Sequence, residues 1–258
     1  MARYQVILAY DGTLFEGSQR QANSRTVQGD LEKALRKVGW SGTSVLIAGR
    51  TDTGVHATGQ VAAFDLDWSH ADGELVNALN AYLPADAAVR EARIARDDFH
   101  PRFDAASRRY RYRLFCQPVR DPLREKLAWR TWPAVDGECL VQTAALLTGR
   151  HNFAAFGSPT TPKGTTVRTV TKAEWQSVSA DEWQFEVQAD AFLYRMVRRL
   201  VFVQVAVAQG RSSVEAMARS LAEQAQGPGK ADLPSGLAPA HGLTLVEVTY
   251  GSPGSEKR

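Results

Sequence analysis

Residues 44–57 read Ser-Val-Leu-Ile-Ala-Gly-Arg-Thr-Asp-Thr-Gly-Val-His-Ala. Ser44 to Ala48 has the content of a strand, and Gln60 to Asp67 reads as a second one, so the polar stretch between them is a connection within a sheet. Outward toward the N-terminus, Val27, Leu31, Ala34, Leu35 and Val38 recur at helical spacing behind a Thr26 cap, and Arg3 to Tyr10 alternates as a strand. Outward in the other direction, Leu75, Leu79 and Tyr82 mark a helix that Pro84 ends, and Val89 to Ala95 supplies another strand. The first half is therefore expected to run β-α-β-β-α-β.

After Phe103 the order recurs: a strand from Arg108 to Cys116, a helix carrying Leu140, Ala144 and Leu147, and strands from Val167 to Ser177 and Trp183 to Ala189. A helix from Phe192 to Gln209 is stopped by Gly210, a further helix starts at Ser212 with Glu215 completing a capping box, and Leu243 to Tyr250 closes the chain as a strand. Both halves have the pattern of the split β-α-β unit. No residue-level repeat supports the duplication, which rests on element order. The expected class is α+β, with an N-terminal domain over 1–104, a C-terminal domain over 105–250, a cleft between them, and a polar tail over 251–258. Residues 157–164 and 226–240, rich in Gly and Pro, and the tail are expected to be mobile.

At 258 residues, 44% of them hydrophobic and 23% charged, the chain can bury a substantial core. No run approaches the ~18 apolar residues of a membrane span, and the start, Met1-Ala2-Arg3-Tyr4-Gln5, lacks the apolar centre of a secretory signal, so the cytoplasm is the expected compartment. Cys116 and Cys139 show no Cys-x-x-Cys pairing, which argues against a disulfide framework or a thiolate zinc site and points to small core residues. A net charge of +3 does not identify a nucleic-acid partner by itself.

Gly49 and Gly54 bracket the connection, and glycine permits the positive φ and close backbone approach that turn a carboxylate toward a cleft. A lone loop aspartate more commonly caps or turns. Asp52-Thr53-Gly54 also matches the short signature of aspartic proteases, which need two such carboxylates sharing one proton. No second Asp-Thr-Gly or Asp-Ser-Gly occurs, and Arg50 places a fixed cation where that pair wants apolar walls. His56 shows no ligand spacing with His70, His100, His151 or His241, so a hydrogen bond holding the loop is the expected role and metal chemistry is not. Glycine fingerprints for nucleotides and the Gly-x-Ser-x-Gly turn are absent. Cofactor-free chemistry by one carboxylate remains.

The chain resembles the tRNA pseudouridine synthase family that modifies uridines at tRNA positions 38, 39 and 40. The resemblance rests on Tyr10-Asp11-Gly12-Thr13 with Gly17 and Gln19, Gly49-Arg50-Thr51-Asp52 with Gly54-Val55-His56, and Asp98-Phe99-His100 with Arg102-Phe103. It continues through Arg109-Tyr110-Arg111-Tyr112, Phe192-Leu193 with Met196-Val197-Arg198, and Gly242-Leu243. These ordered blocks span nearly the whole chain. The resemblance implies the pseudouridine synthase fold, isomerisation of uridine to pseudouridine without cofactor or metal, tRNA as partner and a homodimer.

It further implies that Asp52 is the essential carboxylate, attacking the ribose C1′ or taking a proton from C2′. Arg198 is implied as its ion-pair partner, Arg50 as the arginine that assists extrusion of the base, and Tyr110 as the ring that stacks on the uracil. The residue-level alternatives are a helix-surface arginine, a loop cation on phosphate and a core strand tyrosine. From alternation alone, Tyr110, Tyr112 and Leu114 share one strand face and Arg109, Arg111 and Arg113 the other. With Arg102, Lys163, Arg168, Arg195 and Arg199, these arginines form a candidate track for an RNA backbone, or in part a solvated face. Two departures stand out: Ser18 where the family usually has tryptophan, and Asp190 where it usually has asparagine. Asp190 is expected to compete for Arg198. The alternative outside the enzyme class is a non-catalytic tRNA-binding protein of the same fold.

Overall fold

The computed structural model describes residues 1–161, 163–222 and 233–251. The chain divides into two compact units, one formed by Met1–Ala106 with the segment from Thr244 onward, the other by Ser107–Leu243.

The first unit begins with β1 (Ala2–Tyr10), α1 (Val27–Lys37), β2 (Leu46–Ile47), β3 (His56–Leu66), α2 (Asp72–Asn80) and β4 (Ala87–Ile94), the β-α-β-β-α-β order expected from periodicity. β1 lies between β3 and β4 and is antiparallel to both, with Ala2 opposite Leu66 and Leu8 opposite Gln60 on one side and Tyr4 opposite Ile94 on the other. β2 pairs antiparallel with β3, and β10 (Leu243–Tyr250) adds to β3 in parallel through Thr244 opposite His56. Thr26 caps α1 by accepting the Gly29 N–H at 3.2 Å. Val6, Leu8, Leu31, Leu35, Leu75 and Leu79 are nearly inaccessible and form the core. The helix expected to reach Tyr82 ends at Asn80 instead. The Asn80 amide donates to the Val89 carbonyl and accepts its N–H, both at 2.8 Å, which leads the chain into β4 and leaves Tyr82 half exposed.

The second unit contains β5 (Ala105–Cys116), β6 (Trp129–Thr131), α3 (Gly137–Ala145), β7 (Gly149–Asn152), β8 (Val167–Ser177), β9 (Glu182–Ala189), α4 (Met196–Ala208) and α5 (Val214–Ala222). β9 pairs antiparallel with both β5 and β8, β7 pairs antiparallel with β8, and β6 runs parallel to β5. β6 and β7 escape the pattern reading because strands of three and four residues carry too little alternation to register. α4 is buried on nearly every side, as its run of Val and Ala dictates, and Gln204 inside it accepts the Trp175 indole N–H at 2.9 Å.

α4 starts four residues later than expected because Arg195 adopts φ 61, a left-handed conformation that a helix does not continue through. α5 is capped by Ser213, whose hydroxyl accepts the Ala216 N–H at 3.2 Å; Ala216 has no side chain to bond back, so a single serine cap replaces the capping box expected from Ser212 to Glu215. Cys116 and Cys139 are both partly exposed, correcting their reading as core residues; each sits at or near the end of its element, where packing is incomplete. Residues 226–232 and 252–258, within the segments expected to be mobile, lie outside the described residues. Among the described residues no helix is long and apolar enough to cross a membrane.

A side chain at Gly59 in β3 would overlap the Val246 carbonyl of β10. Gly59→Ala is expected to cost about 2–3 kcal/mol through forced separation of these strands. A urea unfolding curve of the variant against the parent chain measures it.

Candidate active site

The loop between β2 and β3 is held at several points in the first unit. Gly12, in the turn after β1, runs so close to the loop that a Cβ there would overlap the Val55 carbonyl. Gly17 lies at φ 92, and a Cβ on it would sit 3.0 Å from the Thr51 carbonyl oxygen. These approaches are open only to glycine. Within the loop, the Val55 N–H donates to the Asp52 carbonyl at 3.1 Å, closing a tight turn with Gly54 at φ 78. Asp52 is half-buried on this turn, and Arg50 is exposed two residues before it.

Polar contacts fix the rest. The Thr51 N–H donates to the Ser18 hydroxyl at 2.8 Å, while the Ser18 N–H donates to the Thr51 carbonyl at 3.1 Å. The Thr51 and Tyr10 hydroxyls are hydrogen-bonded at 2.9 Å, and the Gln60 amide donates to the Gly49 carbonyl at 2.7 Å. Burial pushes the Tyr10 phenol up, so it remains neutral. His56 is 4% exposed, and its Nδ1 accepts the Gly12 N–H at 3.0 Å. Accepting that bond requires a lone pair on Nδ1, which makes His56 the loop-holding residue expected from the sequence. The Asp11 carboxyl lies 3.1 Å from the same nitrogen. Burial raises its pKa, but hydrogen bonds from the Thr13 hydroxyl and N–H help outweigh this and hold it below the usual range.

The sequence model of tRNA pseudouridine synthases matches residues 6–104 and 143–251, most of both units and all of this loop. The chain belongs to the tRNA pseudouridine synthase family. It is similar to proteins named tRNA pseudouridine synthase A from Syntrophotalea carbinolica (40% identical, covering 97% of each chain) and from Limosilactobacillus fermentum (38% identical, covering 100% of this chain and 99% of that one). The protein of the same name from Solidesulfovibrio magneticus is 41% identical, with 98% and 93% covered.

In this family member the second unit carries the remaining sequence candidates. The Tyr110 ring is half-buried and meets the Phe192 ring edge to face, with centroids 5.1 Å apart. Tyr112 and Leu114, expected on the same face, are fully buried, and the Tyr112 hydroxyl donates to the Pro239 carbonyl at 2.9 Å. The aromatic face of β5 is thus mostly core, with Tyr110 at its margin. The Arg198 Nε donates to the Ala238 carbonyl at 2.8 Å, and the Ala238 N–H returns a bond to the Arg198 carbonyl, so this guanidinium is anchored at its Nε end. Arg199 donates to the Pro234 and Gly236 carbonyls, and burial lowers its pKa. Arg195 lies over the Tyr194 ring, 4.7 Å from its centroid.

Arg109 and Arg111 converge on Glu186 of β9, Arg111 at 2.7 Å and Arg109 at 3.4 Å, and Arg113 meets Glu182 at 2.6 Å. The sequence reading missed these carboxylates. Their signal was present: Glu182, Gln184, Glu186 and Gln188 alternate on β9 just as the arginines do on β5, and an antiparallel pairing brings the two faces together. Arg168 is half-buried and donates to the carbonyls of Thr165 and Val167, Arg102 and Lys163 are exposed, and Arg102 lies beside the Phe103 ring. The Asp190 carboxylate accepts the N–H groups of Ala191 at 2.6 Å and Thr169 at 3.2 Å, and its charge acts on Arg168. That corrects its expected competition for Arg198: the backbone at the strand end takes up the carboxylate first.

Burial raises the Glu186 pKa, but hydrogen bonds from Arg111 and Lys172 outweigh it and leave the pKa below the model-peptide value of 4.5. A depressed folded-state pKa contributes stability that is complete above the unfolded value and is lost as pH falls through the folded one. The urea midpoint is therefore expected to decline below about pH 4.5. Measured from about pH 6 to about pH 3, the decline should be shallower in Glu186→Gln, which has no carboxylate to protonate.

Proposed function

We propose that the chain isomerises uridine to pseudouridine at positions 38, 39 and 40 of the tRNA anticodon stem-loop, with Asp52 as its one essential carboxylate. The observation that supports this reading most directly is the Asp52 turn itself. A half-buried carboxylate stands on backbone held by Gly12, Gly17, Ser18 and Tyr10, in a chain whose family match includes the whole loop. A reacting group gains most from such a scaffold, because rate depends on holding it near its attacking geometry.

The chemistry breaks the bond from ribose C1′ to uracil N1 and forms one from C1′ to C5. The C5 proton leaves and N1 gains one, so electrons balance without a redox partner. Asp52 in its ionised form either attacks C1′, with the rotated uracil later displacing it, or removes the C2′ proton to open a route through elimination. Arg198, whose Nε is anchored on the Ala238 carbonyl, is the cation that holds and charges the carboxylate in this reading. Arg50, exposed next to the loop, assists extrusion of the target base. Tyr110 stacks on the uracil, and its edge-to-face contact with Phe192 sets the ring plane. Arg109, Arg111, Arg195 and Arg199 contribute positive potential toward the RNA backbone, the first two moderated by Glu186. The enzyme works in the cytoplasm as a homodimer.

Asp52→Ala is expected to abolish pseudouridine formation, mapped in anticodon stem-loops before and after incubation, while tRNA binding persists; undiminished turnover refutes the reading. Arg198→Ala should lower kcat at least about tenfold, as removal of a charge-assisted hydrogen bond does. Light scattering with tRNA present should give the mass of two chains plus the bound RNA, and a complex holding a single chain removes the dimer from the proposal.

A further inference from the structure

Ser18 holds both peptide groups that flank Thr51. Its hydroxyl accepts the Thr51 N–H, which belongs to the peptide from Arg50 to Thr51, at 2.8 Å. Its own N–H donates to the Thr51 carbonyl, which belongs to the peptide from Thr51 to Asp52, at 3.1 Å. One residue thereby sets both backbone torsions of Thr51, the position between the base-extruding arginine and the carboxylate. Ser18 is itself tied to a rigid base, because its carbonyl accepts the first-turn Gln28 N–H of α1 at 2.9 Å. Ser18 is 2% exposed and Thr51 7%, so water does not readily replace the hydroxyl.

We propose that Ser18 is a positioning residue for the isomerisation: its hydroxyl fixes the Arg50–Thr51–Asp52 backbone so that the Asp52 carboxylate reaches the ribose in its reactive orientation. The inference rests on the reading of Asp52 as the essential carboxylate and deepens it. The backbone half of the clamp survives substitution by any residue but proline. The hydroxyl half does not, and without it the Arg50–Thr51 peptide is free to rock about the remaining bond. A displacement of about 1 Å in a reacting group costs on the order of a hundredfold in rate, whereas substrate affinity, drawn from cations spread over the RNA, is insensitive to it.

The test compares kcat and KM for an unmodified tRNA transcript among the parent chain, Ser18→Ala, Ser18→Thr and Asp52→Ala. All are assayed at a temperature where circular dichroism shows each variant folded. Ser18→Ala is expected to lower kcat about tenfold to a hundredfold with KM within about twofold of the parent, and Ser18→Thr, which restores the acceptor, to recover most of the loss. A Ser18→Ala kcat within about twofold of the parent, beside an inactive Asp52→Ala, overturns the positioning role and leaves the carboxylate reading intact. A loss carried equally by kcat and KM, or one that Ser18→Thr does not recover, assigns Ser18 to general stability and overturns the proposal as well. Turnover persisting in Asp52→Ala removes the reading beneath it.

Discussion

The close passage of the segment after β1 against the loop between β2 and β3 is the constraint on which the candidate site depends. Gly12 brings backbone to backbone at a distance no side chain tolerates, Gly17 does so at a φ that favours glycine, and this proximity lets Ser18, Tyr10 and His56 reach the loop with short hydrogen bonds. Ser18, Tyr10 and Gln60, all distant in sequence, hold this loop by hydrogen bonds, so its shape is tertiary, not local. A carboxylate on an ordinary surface turn loses orientation to backbone motion; here two neighbouring elements remove that freedom, and the core of the first unit stabilises both.

A second organising force acts in the sheet of the other unit. Its polar face is a ladder of opposite charges, with Arg109, Arg111 and Lys172 around Glu186 and Arg113 and Arg124 around Glu182. A bare row of arginines repels itself and would splay the strands. The carboxylates relieve that repulsion and keep the guanidinium groups extended in fixed directions. The surface consequently presents moderated positive potential instead of a dense basic patch, in keeping with a net charge of only +3.

Much of this was legible in the sequence, for identifiable reasons. The β-α-β-β-α-β order of the first unit followed from clean periodicities of two and 3.6, and His56 as a loop-holding residue followed from the lack of any partner with ligand spacing. The misreadings arise where a contact beyond the local pattern, or a backbone conformation, overrides periodicity. Asn80 ends its helix by bonding Val89 across a turn, Arg195 delays α4 through a backbone conformation that residue type does not announce, and Asp190 is taken up by Thr169. Ser18 is the sharpest instance. As a departure from the family pattern it was visible only as something missing, while its hydroxyl contact with Thr51 joins positions 33 residues apart.

The parallel pairing of β10 with β3 has a consequence for how the protein is made. The Thr58 hydroxyl and the Val246 carbonyl meet across 188 residues of sequence, whereas the second unit is one continuous segment from Ser107 to Leu243. A chain emerging from the ribosome can complete the second unit from one continuous segment, but the unit that bears Asp52 stays short of one strand until that whole segment has been made. The loop that carries Asp52 therefore gains this neighbouring strand only after the second unit is made, and a chain truncated before Thr244 would carry every residue of that loop without the strand that borders its exit.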